Sequence, residues 1–349
     1  MTSIGYWAAH EQYSMDDLLK FVVEAGKGGF STTMTSDHFH PWWHDNAYGN
    51  STWIWIAAAA ERTKGMQFVT GVTAQIYRYH PAIIAQAFSS LDVLYPGRIG
   101  LGLGTGEAMN EVPLGFDWPS AKERLMRTKE AIEIVKSLLG KSSANRDHDG
   151  YVTYDGDYYQ IQNARLYTPP VTQIPIYLAA AGNMSTTIAA QHTDGLITFL
   201  KPGQAREILS RFDKVAKSSG KDLQSLQKIA EYKVSYAEDL DRAFESSKFW
   251  RATLIKNVFN SKIADPRKLE AKAKKEVSDQ ELRESIHITT SIDDCIKAIE
   301  QYFKVGFTRV YVHSTSPNEI KFIRDFCEKA MPHFKDGDQT IDKSNTIKI

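Results

Sequence analysis

The chain has 349 residues, with 42 lysines and arginines balanced by 42 aspartates and glutamates. This length allows one large barrel or two ordinary domains, and the balanced charge gives no global field that would attract nucleic acid or an anionic membrane surface. No apolar run reaches the ~20 residues that a bilayer crossing requires, and the N-terminus has no signal-peptide pattern. The two cysteines, Cys295 and Cys327, lie in amphipathic helical stretches, as expected for buried thiols. We therefore expect a cytoplasmic protein that binds neither nucleic acid nor a membrane.

Strand-like and helix-like runs alternate along the chain. The predicted strands are residues 4–8, 31–35, 66–73, 99–104, 174–180, 195–199, 228–236 and 309–313. The predicted helices are residues 14–28, 51–62, 81–94, 120–139, 204–217 and 319–330, with two more that begin near Asp239 and at Ser291. Eight strands alternating with helices imply a parallel sheet, and a (β/α)8 barrel fits this length best.

Two stretches interrupt this alternation, and we predict that they are insertions in the barrel and not separate domains. Residues 141–170 contain turn signals and many tyrosines, which indicate an insertion with a hairpin, and the charged stretch 257–285 reads as a second insertion. We expect one barrel over residues 1–334 and a polar tail over residues 335–349. An open doubly wound sheet is the competing fold, but the glycine run at residues 100–106 lacks the G-x-G-x-x-G spacing of a dinucleotide fingerprint.

Residues 35–44 form the densest cluster of ionisable and aromatic side chains in the sequence. They follow the second predicted strand and contain Asp37, three histidines and two tryptophans. A loop on a rigid scaffold can aim such side chains at a ligand, whereas a packed core has little use for so many ionisable groups.

In a barrel, the residues that follow the strands meet at one face, where the active site lies. Glu11, His38 and Glu107 follow the first, second and fourth strands, so we expect them to converge. Two acids and a histidine beside aromatic walls suit general acid–base chemistry. His313 follows strand eight and joins the same face.

Other chemistries have weaker support. A zinc site would depend on His38, His40 and His44 alone, because the chain has neither an H-E-x-x-H motif nor a C-x-x-C pair. No G-x-S-x-G or P-loop motif is present. We therefore predict no metal.

The motifs at these positions resemble the deazaflavin-dependent branch of the luciferase-like barrels, which includes coenzyme F420-dependent glucose-6-phosphate dehydrogenases and secondary alcohol dehydrogenases. The matching motifs are Asp-His-Phe-x-Pro-Trp at residues 37–42 and Gly-Glu-Ala-x-Asn-Glu at residues 106–111. Further similar stretches are residues 4–6, 11–13, 78–86, 95–98, 155–159 and 249–250.

The resemblance implies specific roles. His38 and Glu107 would be the acid–base pair, with Glu11 and Trp42 lining and orienting the substrate. We assign His38 to the hydroxyl proton and Glu107 to N1 of the deazaflavin, and the reverse assignment stays open. The family also implies a cis peptide between Gly71 and Val72. The implied cofactor-binding residues are Asp37, Gly71, Val72, Thr73, Ala74, Thr105, Gly106, Asn110, Ala181, Gly182, Met184 and Ser185.

The resemblance is incomplete where the sugar-phosphate enzymes hold phosphate with a threonine, two lysines and an arginine. Thr198 and Lys201 match the threonine and the first lysine, but Asn260 and Ser285 stand at the other two positions. A phosphorylated sugar is therefore only one of the possible substrates.

We expect an oxidoreductase that transfers a hydride between an alcohol or sugar carbon and C5 of coenzyme F420. The alternatives are an FMN-dependent monooxygenase, a methylene-tetrahydromethanopterin reductase and a non-catalytic cofactor-binding protein. Trp53 and Trp55 cannot share one helix face, because residues two apart point in different directions. We therefore expect a homodimer formed through the helices after strands two and three.

Overall fold

A computed structural model describes the backbone of residues 2–342 and the side chains of residues 2–334. The strands are β1 Ser3–Ala8, β2 Thr32–Thr35, β3 Gln67–Thr70, β4 Thr73–Ala74, β5 Ile99–Gly104, β6 Val152–Asp155, β7 Gln160–Ala164, β8 Ile176–Ala179, β9 Gly195–Thr198, β10 Gln227–Tyr236, β11 His287–Thr289 and β12 Arg309–Ser314. The helices are α1 Met15–Lys27, α2 Thr52–Arg62, α3 Pro81–Leu94, α4 Ala108–Glu111, α5 Ala121–Leu138, α6 Asn183–His192, α7 Pro202–Ser218, α8 Leu240–Ser247, α9 Pro266–Glu276, α10 Asp279–Ser285, α11 Ile292–Lys304 and α12 Glu319–Asp342.

The strands close into a parallel barrel. Hydrogen-bonded neighbours follow the order β10, β12, β1, β2, β3, β5, β8 and β9, and the pairing of β9 with β10 closes the ring. Tyr6 of β1 lies opposite Val312 on one side and Thr33 on the other, which places β1 between β12 and β2. The predicted (β/α)8 barrel is confirmed.

Local sequence explains where the helices begin. Ser14 and Ser120 accept hydrogen bonds at their side chains from the backbone N–H groups of Asp17 and Glu123, and so cap α1 and α5. α3 begins with Pro81, whose missing N–H costs nothing in the first turn. The barrel strands β1, β2 and β5 are almost completely buried, because helices cover their outer face and side chains fill the barrel.

The barrel interior is filled by large side chains that point inward from successive strands. Trp7, Met34, Val69, Tyr177, Ile197, Ile229 and Tyr311 form one buried cluster. Gly102 lets β5 approach β3, because a Cβ at this residue would lie 1.9 Å from the carbonyl oxygen of Thr70. This packed layer supports the site above it.

The structure differs from the sequence prediction at several places. The third strand is divided into β3 and β4 by a cis peptide between Gly71 and Val72, and the cis bond confirms the implied one. Helix α6 and the short strand β11, which pairs with the end of β10, were not predicted. β6 and β7 form the antiparallel hairpin that was predicted for residues 141–170, whereas α9 and α10, which occupy part of residues 257–285, were not predicted.

The last helix is longer than predicted. α12 continues from Glu319 to Asp342, past the expected end at residue 330. Residues 343–349 of the expected polar tail lie outside the described residues. Within residues 2–342, none of the helices is both long and apolar enough for a membrane crossing.

Candidate active site

A cavity of about 1620 Å³ opens at the carboxyl ends of the barrel strands. It brings together most of the predicted site residues, from the connections that follow seven different barrel strands. Those that line it are Glu11, His38, Trp42, Gly71, Val72, Thr105, Gly106, Glu107, Ala181, Gly182, Met184, Ser185, Thr198, Lys201, Asn260 and Ser285. Thr73, Ala74, Asp37 and Asn110 are buried behind the cavity surface instead.

Glu11 and His38 form a hydrogen-bonded pair beyond the carboxyl ends of β1 and β2. His38 Nδ1 contacts Glu11 Oε1, and Ser36 Oγ donates a hydrogen bond to Glu11 Oε2 at 2.7 Å. Burial raises the pKa of Glu11, but the charge of His38 and the hydrogen bonds outweigh it and lower that pKa to about 2. Burial lowers the pKa of His38, and the carboxylates of Glu11 and Glu107 more than compensate, so that the pKa rises.

The second nitrogen of His38 faces Glu107. Nε2 lies 3.8 Å from Oε2 of Glu107, which follows β5. Asn110 Nδ2 donates to the same carboxylate oxygen at 3.0 Å, and Asn110 Oδ1 accepts from the backbone N–H of Phe39 at 2.7 Å. Asn110 therefore fixes Glu107 relative to the loop that carries His38.

A further polar network lies behind this pair. Asp37 accepts a hydrogen bond from Thr73 Oγ1 at 2.7 Å and lies 3.3 Å from Arg78 Nη2. Glu111 accepts from the backbone N–H of Arg78 at 2.8 Å, and burial raises the pKa of Glu111 to about 7. Sequence reasoning noted the motif that contains Glu111 but missed its place in this network.

One wall of the cavity is made by nearly bare backbone. Gly71, Val72, Gly104 and Gly106 line it, and Gly106 has a φ of +72°, which favours glycine. A Cβ at Gly106 would approach the side chain of Ile76 to 2.8 Å. The three glycines therefore leave this part of the cavity lining with few side-chain atoms.

Another part of the cavity lining is aromatic. The ring centroid of Trp42 lies 5.9 Å from that of His38 and 5.5 Å from that of Phe259. Phe259 stacks on Phe199 at 5.6 Å, and Phe199 remains half exposed. Such faces pack against the C–H groups of a substrate.

The four positions expected to hold a phosphate meet at one rim, but two of them make other contacts. Lys201 Nζ donates to the carbonyl oxygen of Glu284, and Asn260 Oδ1 accepts from Arg124 Nη2 at 2.9 Å. Arg283 also lines the cavity, but its guanidinium carbon lies 3.7 Å from the ring centroid of Phe244. The rim therefore does not form a converging phosphate clamp.

A second carboxylate–histidine pair lies deeper in the cavity. His313 Nδ1 lies 2.5 Å from Glu231 Oε1, and Lys233 Nζ lies 3.4 Å from the same oxygen. Sequence reasoning placed His313 at this face but missed Glu231 and Lys233. The sequence pattern that could have revealed them is a pair of charged residues, two positions apart, in a strand that is buried on both faces.

The three histidines of the 35–44 cluster separate in the structure. His40 Nδ1 contacts the carbonyl oxygen of Ala264 at 3.0 Å, and His44 is exposed, with its backbone N–H bound to Glu270. In the part of the chain that the structure describes, no group of three or more His, Cys, Asp or Glu side chains is arranged to hold a metal.

Comparisons with known proteins identify the family of this chain. The luciferase-like monooxygenase family profile matches residues 1–309. The F420-dependent glucose-6-phosphate dehydrogenases of Microbacterium testaceum and Mycolicibacterium smegmatis are 33% and 31% identical, over 95% of this chain and 97% and 98% of their own.

Solved structures extend the comparison. An F420-dependent secondary alcohol dehydrogenase in complex with an F420–acetone adduct superposes with a TM-score of 0.88 and 35% identity, covering 94% of this chain and 97% of that one. The coenzyme F420-dependent tetrahydromethanopterin reductase from Methanopyrus kandleri has a TM-score of 0.72 at 20% identity over 95% and 99%, and shows the shared fold. The chain belongs to the luciferase-like family.

Proposed function

We propose that this protein is an oxidoreductase that transfers a hydride between the hydroxyl-bearing carbon of an alcohol or sugar and C5 of the deazaflavin coenzyme F420. The observation that carries the proposal is the convergence of Glu11, His38 and Glu107 on one cavity, beside a glycine-rich part of its lining. The names of the relatives with more than 30% identity support the same chemistry and the same cofactor.

The residues present fit the cofactor. A cavity of about 1620 Å³ exceeds the ~300–1,000 Å³ of an ordinary ligand site, so it has room for a deazaflavin and a substrate together. The bare backbone at Gly71 and Gly106 fits a planar ring, and the N-terminus of α6 at Gly182 fits an anionic tail. Asp37, Thr73 and Asn110 would hold this wall in place from behind.

The protein's own residues would handle the two protons of the reaction. When bound, coenzyme F420 would supply the hydride acceptor at C5, and its reduced form would take up a proton near N1. His38 accepts the hydroxyl proton at Nε2, because Nδ1 is held by Glu11. Glu107 exchanges a proton on the cofactor side, held by Asn110. Trp42 and Phe259 exclude water and hold the carbon skeleton.

The experiment is a substrate panel. Purified protein with oxidised coenzyme F420 should bleach the deazaflavin absorbance when supplied with 2-propanol, glucose or glucose 6-phosphate. FMN with oxygen serves as the alternative cofactor and should give no product. Oxygen-dependent turnover with FMN, or absence of turnover with any alcohol, would contradict the proposal in favour of a monooxygenase or a non-catalytic binding protein.

We also infer that the protein acts in the cytoplasm as a homodimer. Helices α2 and α3 expose Ile54, Ile83 and Leu94, which are 67%, 51% and 64% accessible. Trp53, Ile54, Ala57, Ala87, Ser90, Leu91 and Leu94 line a shallow, almost wholly apolar groove between the two helices. A contiguous apolar face on the barrel exterior supports a self-association surface.

A further inference from the structure

The pair formed by Glu231 and His313 has a feature that the proposed proton chemistry does not use. His313 is only 1% exposed, and its Nε2 has no hydrogen-bond partner among the described residues. A buried polar atom without a partner costs free energy comparable to a lost hydrogen bond. Because His313 lines the cavity, a bound molecule can supply this missing partner.

The chemistry of this nitrogen is determined by its neighbours. The carboxylate of Glu231 only accepts hydrogen bonds, so the Nδ1 of His313 at 2.5 Å carries the proton. Burial and the ammonium group of Lys233 lower the pKa of His313 and outweigh the opposing carboxylates of Glu231 and Glu11, so the imidazole is neutral at pH 7. In that tautomer Nε2 is a hydrogen-bond acceptor, and it requires a donor such as a hydroxyl group.

The position of this acceptor is fixed. His313 stacks on Trp7 with parallel rings at 5.1 Å and meets Trp250 edge-on at 4.5 Å. Trp250 Nε1 in turn donates to Gln12 at 2.8 Å, and the β10–β12 register places Lys233 opposite His313. Because the ring of His313 is held in place, its Nε2 can bind only a ligand donor group that reaches this one position in the cavity.

The site is also distinct from the first pair. β1 lies between β12 and β2, so the two histidines reach the cavity from opposite sides of β1, and Trp7 of β1 lies at the level of His313. His38 follows the end of its strand by three residues, whereas His313 lies within β12. His313 therefore lies deeper in the barrel than the group that would meet the reacting hydroxyl.

Resting on the function proposed above, we propose that His313 Nε2 accepts a hydrogen bond from a second substrate hydroxyl, so that the preferred substrates are uncharged polyhydroxylated alcohols such as sugars. The aromatic wall of Trp42, Phe259 and Phe199 suits the C–H faces of a sugar ring. The rim cations do not gather around one point where a phosphate could sit, which supports an uncharged substrate: Lys201 donates to the Glu284 carbonyl oxygen, Arg124 to Asn260, and Arg283 lies over the Phe244 ring.

The test compares glucose with 2-propanol, which has only the reacting hydroxyl. In Glu231→Gln the amide NH2 can donate to Nδ1, which reverses the tautomer and converts Nε2 from an acceptor to a donor. We expect the ratio of kcat/KM for glucose to that for 2-propanol to fall about tenfold or more. Binding of glucose to the cofactor-free protein, followed by the fluorescence of the flanking tryptophans, should weaken by a similar factor.

Two further variants keep the result interpretable. Glu319→Gln alters another buried carboxylate, which hydrogen-bonds Tyr6 and does not line the cavity, and it should leave the glucose ratio unchanged. His313→Phe removes the acceptor and should reproduce the loss seen in Glu231→Gln. This inference fails, while the hydride-transfer function stands, if 2-propanol is oxidised but glucose is neither bound nor oxidised. It also fails if the ratio of kcat/KM for glucose to that for 2-propanol is unchanged in both Glu231→Gln and His313→Phe. If no alcohol is oxidised, yet glucose binds and both variants weaken it, the proposed function fails and the subsite remains.

Discussion

His38 and Glu107 lie side by side in the lining of the cavity, with 3.8 Å between Nε2 and Oε2, although they are 69 positions apart in the sequence. The other nitrogen of His38 contacts Glu11, which is buried and ionised. This places one histidine between two carboxylates, and it explains why the pKa of His38 lies above its usual value.

The first prediction concerns pH. Only neutral His38 can accept the hydroxyl proton, and its pKa is raised above 6.5, so alcohol oxidation should increase as the pH rises through that higher pKa. Ketone reduction, which needs the protonated form, should increase as the pH falls. Glu11→Gln removes the adjacent negative charge and should move both profiles to lower pH. Initial rates of deazaflavin reduction between pH 5 and 9 would measure this, and an unchanged profile in Glu11→Gln would argue against His38 as the titrating group.

The second prediction concerns proton transfer itself. His38→Ala and Glu107→Gln should each lower kcat by ~10²- to 10⁴-fold, the usual contribution of a positioned acid or base. The Kd of coenzyme F420 should change little, because other residues make the backbone wall. Trp42→Ala is the comparison, since it should raise KM more than it lowers kcat. Near wild-type turnover in both acid–base variants would end the proposed scheme.

The third prediction concerns Asn110. A leucine at this position has a similar size but loses the hydrogen bonds to Glu107 and to the Phe39 N–H group. We expect the Kd of coenzyme F420, measured by fluorescence titration, to rise at least tenfold, which corresponds to ~1.4 kcal/mol. Asn110→Asp keeps the acceptor for Phe39 and should bind the cofactor better than the leucine variant. Equal affinity in wild type and Asn110→Leu would show that Asn110 does not support the cofactor site.

Much of this site was predictable because the signals are local. Apolar runs bounded by capping residues and turns identified the eight barrel strands, and the fold rule that strand ends converge then placed Glu11, His38 and Glu107 together. The two tryptophans of α2 also separate as expected from helix geometry, since Trp55 is fully buried while Trp53 is partly exposed and stacks on Tyr79.

The parts that were missed depend on contacts distant in sequence. Glu231 and His313 are 82 residues apart, and their pairing follows from the register of β10 and β12, which no local pattern reveals. Helix α6 follows a glycine at its N-cap and carries threonines and alanines without a clear apolar stripe, so its periodicity is weak. Likewise, the contact of Asn260 with Arg124 joins an insertion to α5 across 136 residues.

The fourth prediction tests the homodimer. Ile54→Lys places a charge in the apolar groove between α2 and α3, and burying that charge at an interface would be costly. Light scattering at micromolar concentration should show a dimer for the wild type and a monomer for Ile54→Lys. Val171→Lys changes an equally exposed apolar residue elsewhere and should remain dimeric. A wild-type monomer, or a dimer that tolerates the lysine, would exclude this surface as the interface.

The fifth prediction concerns the rim of the cavity. Ser285 lies at the end of α10 and lines the cavity with Lys201 and Thr198, so Ser285→Arg would add a guanidinium group beside them. Because a guanidinium can bind phosphate with two parallel hydrogen bonds, kcat/KM for glucose 6-phosphate should rise about tenfold relative to that for glucose. Ser285→Gln has a long polar side chain without charge and should give no such gain. The improvement should also shrink as salt is raised from 50 mM to 500 mM, since the added interaction is electrostatic and partly exposed. An equal gain in both variants, or one insensitive to salt, would mean that charge at this position does not determine the preference for phosphorylated substrates.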